Sequence, residues 1–248
     1  MEGPKTSEFR AIRYDVPTGV RGKSELEGKI LSSDIYSYNR SIDYNDTIVF
    51  KNITSIYRLY KDGFMEYNYI PLTQPADKGA SAAALENALA FVLNIEKKVL
   101  DNPAADLVLS GIDENASDLT HRFTFDYIID DYPVYFNYEQ THGDTATRYR
   151  NAITILANAN RVVSCRWMLV DLFFATATNR MHIYFDRIEV DQSLPKMAVT
   201  DIAIAYSIDL TADPESEEYP FGKYGSEWPV WAITSPDGSV EIVGLSEG

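Results

Sequence analysis

The stretch HRFTFDYIIDDYPVYF, residues 121–136, predicts a strand, a turn and a second strand, and much of the chain can be related to it. Asp130 and Asp131 lie between the two predicted strands, where aspartate is favoured because its side chain hydrogen-bonds to the turn backbone. A paired-carboxylate site for acid–base chemistry is the alternative interpretation of these residues. We predict the turn.

A run at 202–233 repeats the frame of this stretch. The matching segments are Phe125-x-Tyr127-x-Ile129-Asp130 with Ile204-x-Tyr206-x-Ile208-Asp209, and Pro133-Val134-Tyr135 with Pro229-Val230-Trp231. The tyrosine and the proline are 6 residues apart in the first copy and 23 in the second, where an acidic loop rich in proline and glycine intervenes. Because such loops tolerate insertions, the pattern predicts one small α+β unit used at least twice.

A predicted helix precedes each copy. In residues 81–100, SAAALENALAFVLNIEKKVL, apolar residues recur at helical spacing, Ser81 is a candidate N-cap, and Lys97 and Lys98 suit the C-terminal end of the helix dipole. The same spacing recurs in residues 178–190, at Met181, Tyr184, Phe185 and Ile188.

The predicted fold class is therefore α+β, with tandem two-layer units, each a helix packed on an antiparallel sheet. We expect a β-rich N-terminal segment at 1–72, which is an incomplete unit or a separate one, a first unit at 73–175 and a second at 176–248. In the first segment, Lys61-Asp62-Gly63 between aromatic, alternating runs predicts a β-hairpin, because glycine accepts the positive φ of the turn.

Composition argues against several classes of partner. The net charge is −15, with 37 acidic and 22 basic residues, so we expect neither nucleic acid nor an anionic lipid surface as a partner. Cys165 is the single cysteine; it forms no internal disulfide and is expected in the core of a strand. No run approaches the ~20 apolar residues that cross a bilayer.

No catalytic or metal-binding motif stands out. His121, His142 and His182 lack ligand spacing, and Asp113-Glu114-Asn115 is not followed by the rest of a calcium loop. The chain has no nucleophile elbow, no dinucleotide fingerprint and no Walker A sequence. We therefore expect a protein that is not an enzyme and has no metal or cofactor.

The segment Glu227-Trp228-Pro229-Val230-Trp231 is the one we single out for partner binding. Its two tryptophans follow an acidic loop at 211–227, and tryptophan and tyrosine dominate protein-binding hot spots. The simpler interpretation has one ring in the core, one sealing its edge, and a merely solvated loop. The candidate contact residues are Tyr219, Glu227, Trp228 and Trp231.

The C-terminal run at 202–248 resembles the carboxy-terminal part of the YycH and YycI family. It has I-A-I-A-Y-x-I, a polar insert, P-V-W-A-I, a turn and V-E-I-V-G-L-S-E-G, an ending that is also similar to the PepSY class. AALENALAFV and HRFTFDYIIDDYPVYF resemble the central domain of the same family. The likeness covers 80–248 and rests on the hydrophobic frame and on Tyr127, Pro133, Val134, Tyr206, Pro229, Trp231 and Gly248.

This resemblance implies a non-enzymatic accessory protein at the extracytoplasmic face of the Gram-positive cell membrane. Family members carry an N-terminal membrane anchor, associate with one another, and adjust the activity of an essential histidine kinase. For this chain it implies an anchor upstream of residue 1, a histidine kinase ectodomain or a sister regulator as partner, and homo- or hetero-oligomers. The alternatives are a PepSY-type module that restrains a peptidase or cell-wall hydrolase, and a small-ligand-binding or enzymatic domain with a cleft between the repeats.

Overall fold

The computed structural model of the chain describes residues 6–15, 28–31, 37–43, 47–60, 63–70, 78–101, 104–117, 119–137, 149–175, 180–184, 199–209, 229–236 and 240–244. Besides a short helical segment at 28–31, these residues form one long helix, α1, at Ser81–Val99. The strands are Thr6–Arg10 (β1), Ile12–Asp15 (β2), Asn39–Ile42 (β3), Ile48–Lys51 (β4), Ser55–Leu59 (β5), Phe64–Tyr69 (β6), Asp106–Asp113 (β7), His121–Ile129 (β8), Tyr132–Asn137 (β9), Tyr149–Arg150 (β10), Ile153–Asn158 (β11), Arg161–Met168 (β12), Asp171–Phe174 (β13), Arg180–Tyr184 (β14), Asp201–Asp209 (β15), Pro229–Thr234 (β16) and Val240–Gly244 (β17).

A 13-stranded sheet dominates the molecule. Its strand order is β17-β16-β15-β9-β8-β11-β12-β6-β5-β4-β3, with β10 beside β9 and β7 beside β8. The β9–β15 pair is parallel, whereas the other paired strands are antiparallel. Two further ribbons are formed by β1 with β14 and by β2 with β13.

The predicted tandem helix-on-sheet units are wrong. The two copies of the frame lie side by side in the large sheet, because β9 of the first copy pairs with β15 of the second, with Tyr206 opposite Val134. Strand pairs also connect all three predicted segments: β6 pairs with β12, and β1 pairs with β14. The boundaries at 72 and 175 stay a prediction, but the molecule they divide is built around one sheet.

The helix predicted at 178–190 is also wrong where the structure describes it. Residues Arg180–Tyr184 form β14, which pairs with β1 along its whole length. Met181 and Ile183 alternate with polar residues, so the segment has a strand period as well as a helical one. The partner strand β1, far away in the sequence, decides between the two periods. The remaining positions of that predicted helix lie outside the described residues.

The helix predicted at 81–100 is confirmed as α1, which packs on β8, β11 and β12. Its buried face consists of Ala84, Ala88, Val92, Ile95 and Val99. The predicted N-cap is wrong by one residue, since Ala80 occupies that position and makes no side-chain capping bond. Lys97 and Lys98 lie in the last turn as predicted.

The turn predicted within 121–136 is confirmed. Asp130 and Asp131 have φ values of 49° and 71°, the left-handed backbone that a two-residue turn between antiparallel strands requires at both positions. Aspartate tolerates this conformation better than most residues. The hairpin predicted around Gly63 is confirmed as well, with φ of 88° at the glycine between β5 and β6.

The sheet has two arms that meet near the Asp130–Asp131 turn. The pairing of β8 with β9 is confined to Ile128 opposite Pro133 and Ile129 opposite Tyr132. We call β7, β8, β11, β12, β6, β5, β4 and β3 the helix arm, because α1 covers one of its faces, and β10, β9, β15, β16 and β17 the C-terminal arm. Each copy of the frame thus begins on a different arm.

The centre of the helix arm is a buried polar pair. The Trp167 indole N–H donates to the Tyr127 hydroxyl over 3.0 Å, and that hydroxyl donates to the Met168 carbonyl over 3.2 Å. Both rings are fully buried, so burial raises the pKa of the Tyr127 hydroxyl and keeps it neutral. Cys165 lies buried on β12, which confirms its prediction as a core residue.

Candidate functional site

Of the residues predicted to bind a partner, the structure places Trp231. It lies on β16, opposite Ile204 of β15 and Val243 of β17. Tyr219, Glu227 and Trp228 lie outside the described residues, as does the acidic loop before them. The structure therefore tests the surroundings of Trp231 and leaves the rest of the predicted contact set as a prediction.

Trp231 is half-buried on a small apolar cluster of the C-terminal arm. The cluster centres on Phe9 of β1 and Ile204, which are 3% and 6% exposed, and Tyr132 packs on it together with Trp231. The Phe9 and Tyr132 ring centroids are 5.2 Å apart. One side of the indole is thus held by packed side chains while the rest is accessible to solvent.

Further apolar side chains extend this exposed area. Ile202 lies two positions before Ile204, so the alternation of a strand places both on the same face, and Ile202 is 49% exposed. Val243, half-buried on β17, shares that face with Trp231. We call Ile202, Trp231 and Val243 the Trp231 surface. Within the described residues β17 pairs with β16 alone, so this surface borders a strand that lacks a second neighbour.

A carboxylate lies at the edge of the Trp231 surface. Glu241 on β17 lies opposite Ile233 and two positions before Val243, so it shares the face of that surface. Rim charges contribute to the rate and specificity of association more than to its affinity. The arrangement, an apolar centre with an acidic rim, is complementary to an apolar segment flanked by basic residues.

Arg10 fixes β1 beneath this surface and joins the two copies of the frame. Its guanidinium contacts both carboxylate oxygens of Asp130, the closer nitrogen at 2.7 Å from each, and lies 3.3 Å from the Phe174 ring centroid. Its carbonyl accepts a hydrogen bond of 2.7 Å from the Tyr206 hydroxyl. Burial, and secondarily the Asp130 charge, raises the pKa of Tyr206 to about 12, so this donor stays protonated at neutral pH.

A second group of polar residues, which sequence reasoning missed, lies where α1 ends. Asp171 on β13 lies opposite Asp15 on β2 and accepts a 2.6 Å hydrogen bond from the backbone N–H of Asp101. Burial, then the charges of Asp15 and Asp101, raises the pKa of the Asp171 carboxyl to about 6. These acids come from three distant segments, so no local motif announces them.

The histidines are not brought together as a metal site in the part of the chain described. His121 is buried on β8 with its Nε2 3.1 Å from the Gly79 carbonyl oxygen, while His142 and the His182 side chain lie outside the described residues. Among the described side chains no group of three or more histidines, cysteines or carboxylates is arranged to hold a metal ion.

A row of half-buried rings forms the third notable feature. It runs from Tyr38 through Tyr57 and Tyr67 to Phe91 of α1, with successive ring centroids 5.9, 4.8 and 5.0 Å apart. The rings pack against the main core, and burial raises the pKa of Tyr67 to about 12. The row contacts the helix through Phe91, and no sequence motif indicated its tyrosines.

Comparisons with known proteins leave the family open. No family model matches the chain, and no curated protein matches it. The chain is similar to the crystal structure of an uncharacterized protein from Eubacterium rectale, at 12% identity and a TM-score of 0.43, over 96% of this chain and 82% of that one. At that score the likeness carries no inference. No helix in the described part of the chain is long and apolar enough to span a membrane.

Proposed function

We propose that this protein is a non-enzymatic binding protein that acts through protein–protein contact at the Trp231 surface. The observation that carries the proposal is the half-buried Trp231, held by Phe9 and Ile204 next to the exposed Ile202. Tryptophan is the residue most enriched at binding hot spots. A ring already fixed by its neighbours loses little freedom on binding, which leaves more of the contact energy as affinity.

The partner that suits this surface is an extended apolar segment with basic flanks. Strand β17 has one pairing partner among the described strands, and a strand of another protein can extend a sheet at such an edge through backbone hydrogen bonds. Apolar side chains of the added strand would contact Val243 and Trp231. Basic residues beside them would meet Glu241.

The resemblance of residues 80–248 to the YycH and YycI family supplies the partner that we propose. It is the ectodomain of a histidine kinase or a sister regulator, at the extracytoplasmic face of the membrane. Occupancy of the ectodomain would shift the kinase between its conformations. The tandem units predicted from the repeated frame are wrong, so the partner rests on the matched residues alone.

A binding assay on purified proteins tests this proposal. Wild-type chain and Ile202→Asp are compared for binding to purified histidine kinase ectodomains of the organism that encodes the chain. Burying a new carboxylate in an apolar contact should weaken binding at least tenfold, about 1.4 kcal/mol. Ile112→Asp is the matched control, because Ile112 on β7 has the same exposed fraction of 49% on the other arm.

Two outcomes contradict the proposal: no binding to any ectodomain, or equal loss of binding in both variants. The PepSY-type alternative predicts a different result, in which the wild-type chain inhibits a peptidase and Ile202→Asp does not. The ligand-binding alternative expects its site in a cleft between the two repeats. Because β9 and β15 of the two copies are hydrogen-bonded to each other, that alternative requires a site elsewhere.

A further inference from the structure

The outward face of α1 carries a regular series of exposed residues. Opposite the buried face, Glu86, Ala90, Leu93 and Lys97 follow each other at intervals of four, three and four residues. Leu93 is 59% exposed, and the neighbouring Leu89 is 37% exposed. Spacing of this kind keeps side chains in one straight seam along a helix, as in coiled coils.

The seam is complementary to a reversed copy of itself. Its two inner positions are apolar, and its two outer positions carry opposite charges, Glu86 near the N-terminus of α1 and Lys97 near the C-terminus. If a second α1 lies antiparallel across a two-fold axis between residues 91 and 92, Glu86 faces Lys97 and Ala90 faces Leu93, in both halves of the contact. A small residue opposite a large one lets the helices approach and interlock.

We infer that the chain associates with a second copy of itself through an antiparallel pairing of α1 with α1. A two-fold contact must be self-complementary, and this seam is self-complementary in both charge and size. The rest of the molecule opposes self-association, because the net charge is −15. The seam itself has one acidic and one basic residue, so like-charge repulsion is absent along it.

The expected dimer is weak and depends on concentration. A helix of 19 residues is about 28 Å long, so the seam buries less than the ~1,200 Å² of total surface typical of a stable interface. The inference is independent of the proposed function, because α1 belongs to the helix arm and the Trp231 surface to the C-terminal arm. Ile202→Asp should therefore leave self-association unchanged.

Charge reversal tests the pairing and its register. Sedimentation velocity over a concentration series, at one fixed salt concentration, gives the dissociation constant for wild type, Glu86→Lys and Lys97→Glu. In each single variant both ion pairs become like-charge contacts, and we expect the dissociation constant to rise about tenfold. An equimolar mixture of the two variants restores both opposite-charge pairs, so its association should return to the wild-type level.

Leu93→Gln and Val108→Gln complete the experiment. The first removes the apolar centre of the seam and should weaken the dimer, whereas Val108, 46% exposed on β7, is a control that should not. The inference is overturned by a monomeric wild type, by single variants that dimerise as wild type does, or by a mixture that fails to recover. Melting temperatures of all variants check that each still folds.

Discussion

The two copies of the frame differ in what covers them. In both, the three alternating frame positions before the aspartate are buried: Phe125, Tyr127 and Ile129 in the first copy, and Ile204, Tyr206 and Ile208 in the second. The first copy lies under α1 in the main core, which also includes Tyr206 and Ile208 of the second copy. Next to the second copy, Phe9 of β1 packs on Ile204, and the Tyr206 hydroxyl reaches Arg10. A repeated strand pattern therefore determines the alternation of buried residues and leaves the covering element undetermined.

The two tyrosines show the difference at one residue. The Tyr127 hydroxyl accepts a hydrogen bond from the Trp167 N–H and donates one to the Met168 carbonyl, entirely within the core. The Tyr206 hydroxyl serves the Arg10 carbonyl, beside an ion pair that is partly exposed to solvent. We infer that the first copy contributes more to global stability, while the second holds β1 and thereby the base of the Trp231 surface.

Replacing the tryptophan of each arm should give the largest contrast. Trp167→Ala removes a fully buried ring from the helix arm and should lower the free energy of unfolding by about 4 kcal/mol. Trp231→Ala removes a half-buried ring and should cost about 1 to 2 kcal/mol. Urea unfolding followed by far-UV circular dichroism measures both. Equal costs would contradict the unequal contribution of the two arms.

Removing each tyrosine hydroxyl should give a smaller difference in the free energy of unfolding, with the larger cost again on the helix arm. Tyr127→Phe leaves the buried Trp167 N–H and the Met168 carbonyl without this partner and should cost about 2 to 3 kcal/mol. Tyr206→Phe breaks one hydrogen bond and should cost about 1 kcal/mol. In a Trp167→Phe background the cost of Tyr127→Phe should fall, because the donor is already absent. An unchanged cost there would show that the pair is not coupled.

The smallest expected effect is a change of folding stability with pH. It involves Asp171, which lies next to the C-terminal end of α1, the helix that packs on the first copy. Its folded-state pKa of about 6 lies above the ordinary value of 3.8, so the fold favours the protonated carboxyl. The stability that this adds is present below pH 3.8 and is lost as the pH rises to about 6. The melting temperature of wild type minus that of Asp171→Asn should therefore fall over this interval.

The matched control for this titration is Glu114→Gln, which replaces an exposed carboxyl after β7. Its melting temperature is measured over the same interval as the reference for the Asp171→Asn series. A wild-type minus Asp171→Asn difference that stays flat from pH 3.8 to 6 would refute the assignment to Asp171.

Local signals in the sequence predicted local structure well. The Asp130–Asp131 turn, the hairpin at Gly63 and α1 all depend on contacts between residues close in sequence, and each is confirmed. The helix predicted at 178–190 failed because β14 is determined by β1, and the tandem units failed because nothing local indicates that β9 pairs with β15. Long-range strand pairing overrides the preference of a short segment.

The candidate site shows the same difference between local signals and long-range contacts. Trp231 could be found from its residue type and its place in the frame. The cluster beneath it could not, because Phe9 comes from a segment that shows no clear periodicity in the sequence. The contact of Arg10 with Asp130 spans 120 positions, and Asp171 meets Asp101 across 70. Such pairs depend on the topology of the sheet, which a single sequence does not display.

The anchoring of β1 has a consequence for biosynthesis. Tyr206 contacts Arg10 across 196 positions, so the first strand of the chain is made long before the residues that hold it. At about 5 to 20 residues per second, a ribosome needs roughly 10 to 40 s to make that length of chain. For most of this interval neither β14 nor β15 has been made, and closure of so long a loop is intrinsically slow. The N-terminal strand therefore waits for partners that are made late in translation, and a chaperone that shields it during this time should raise the yield of folded protein.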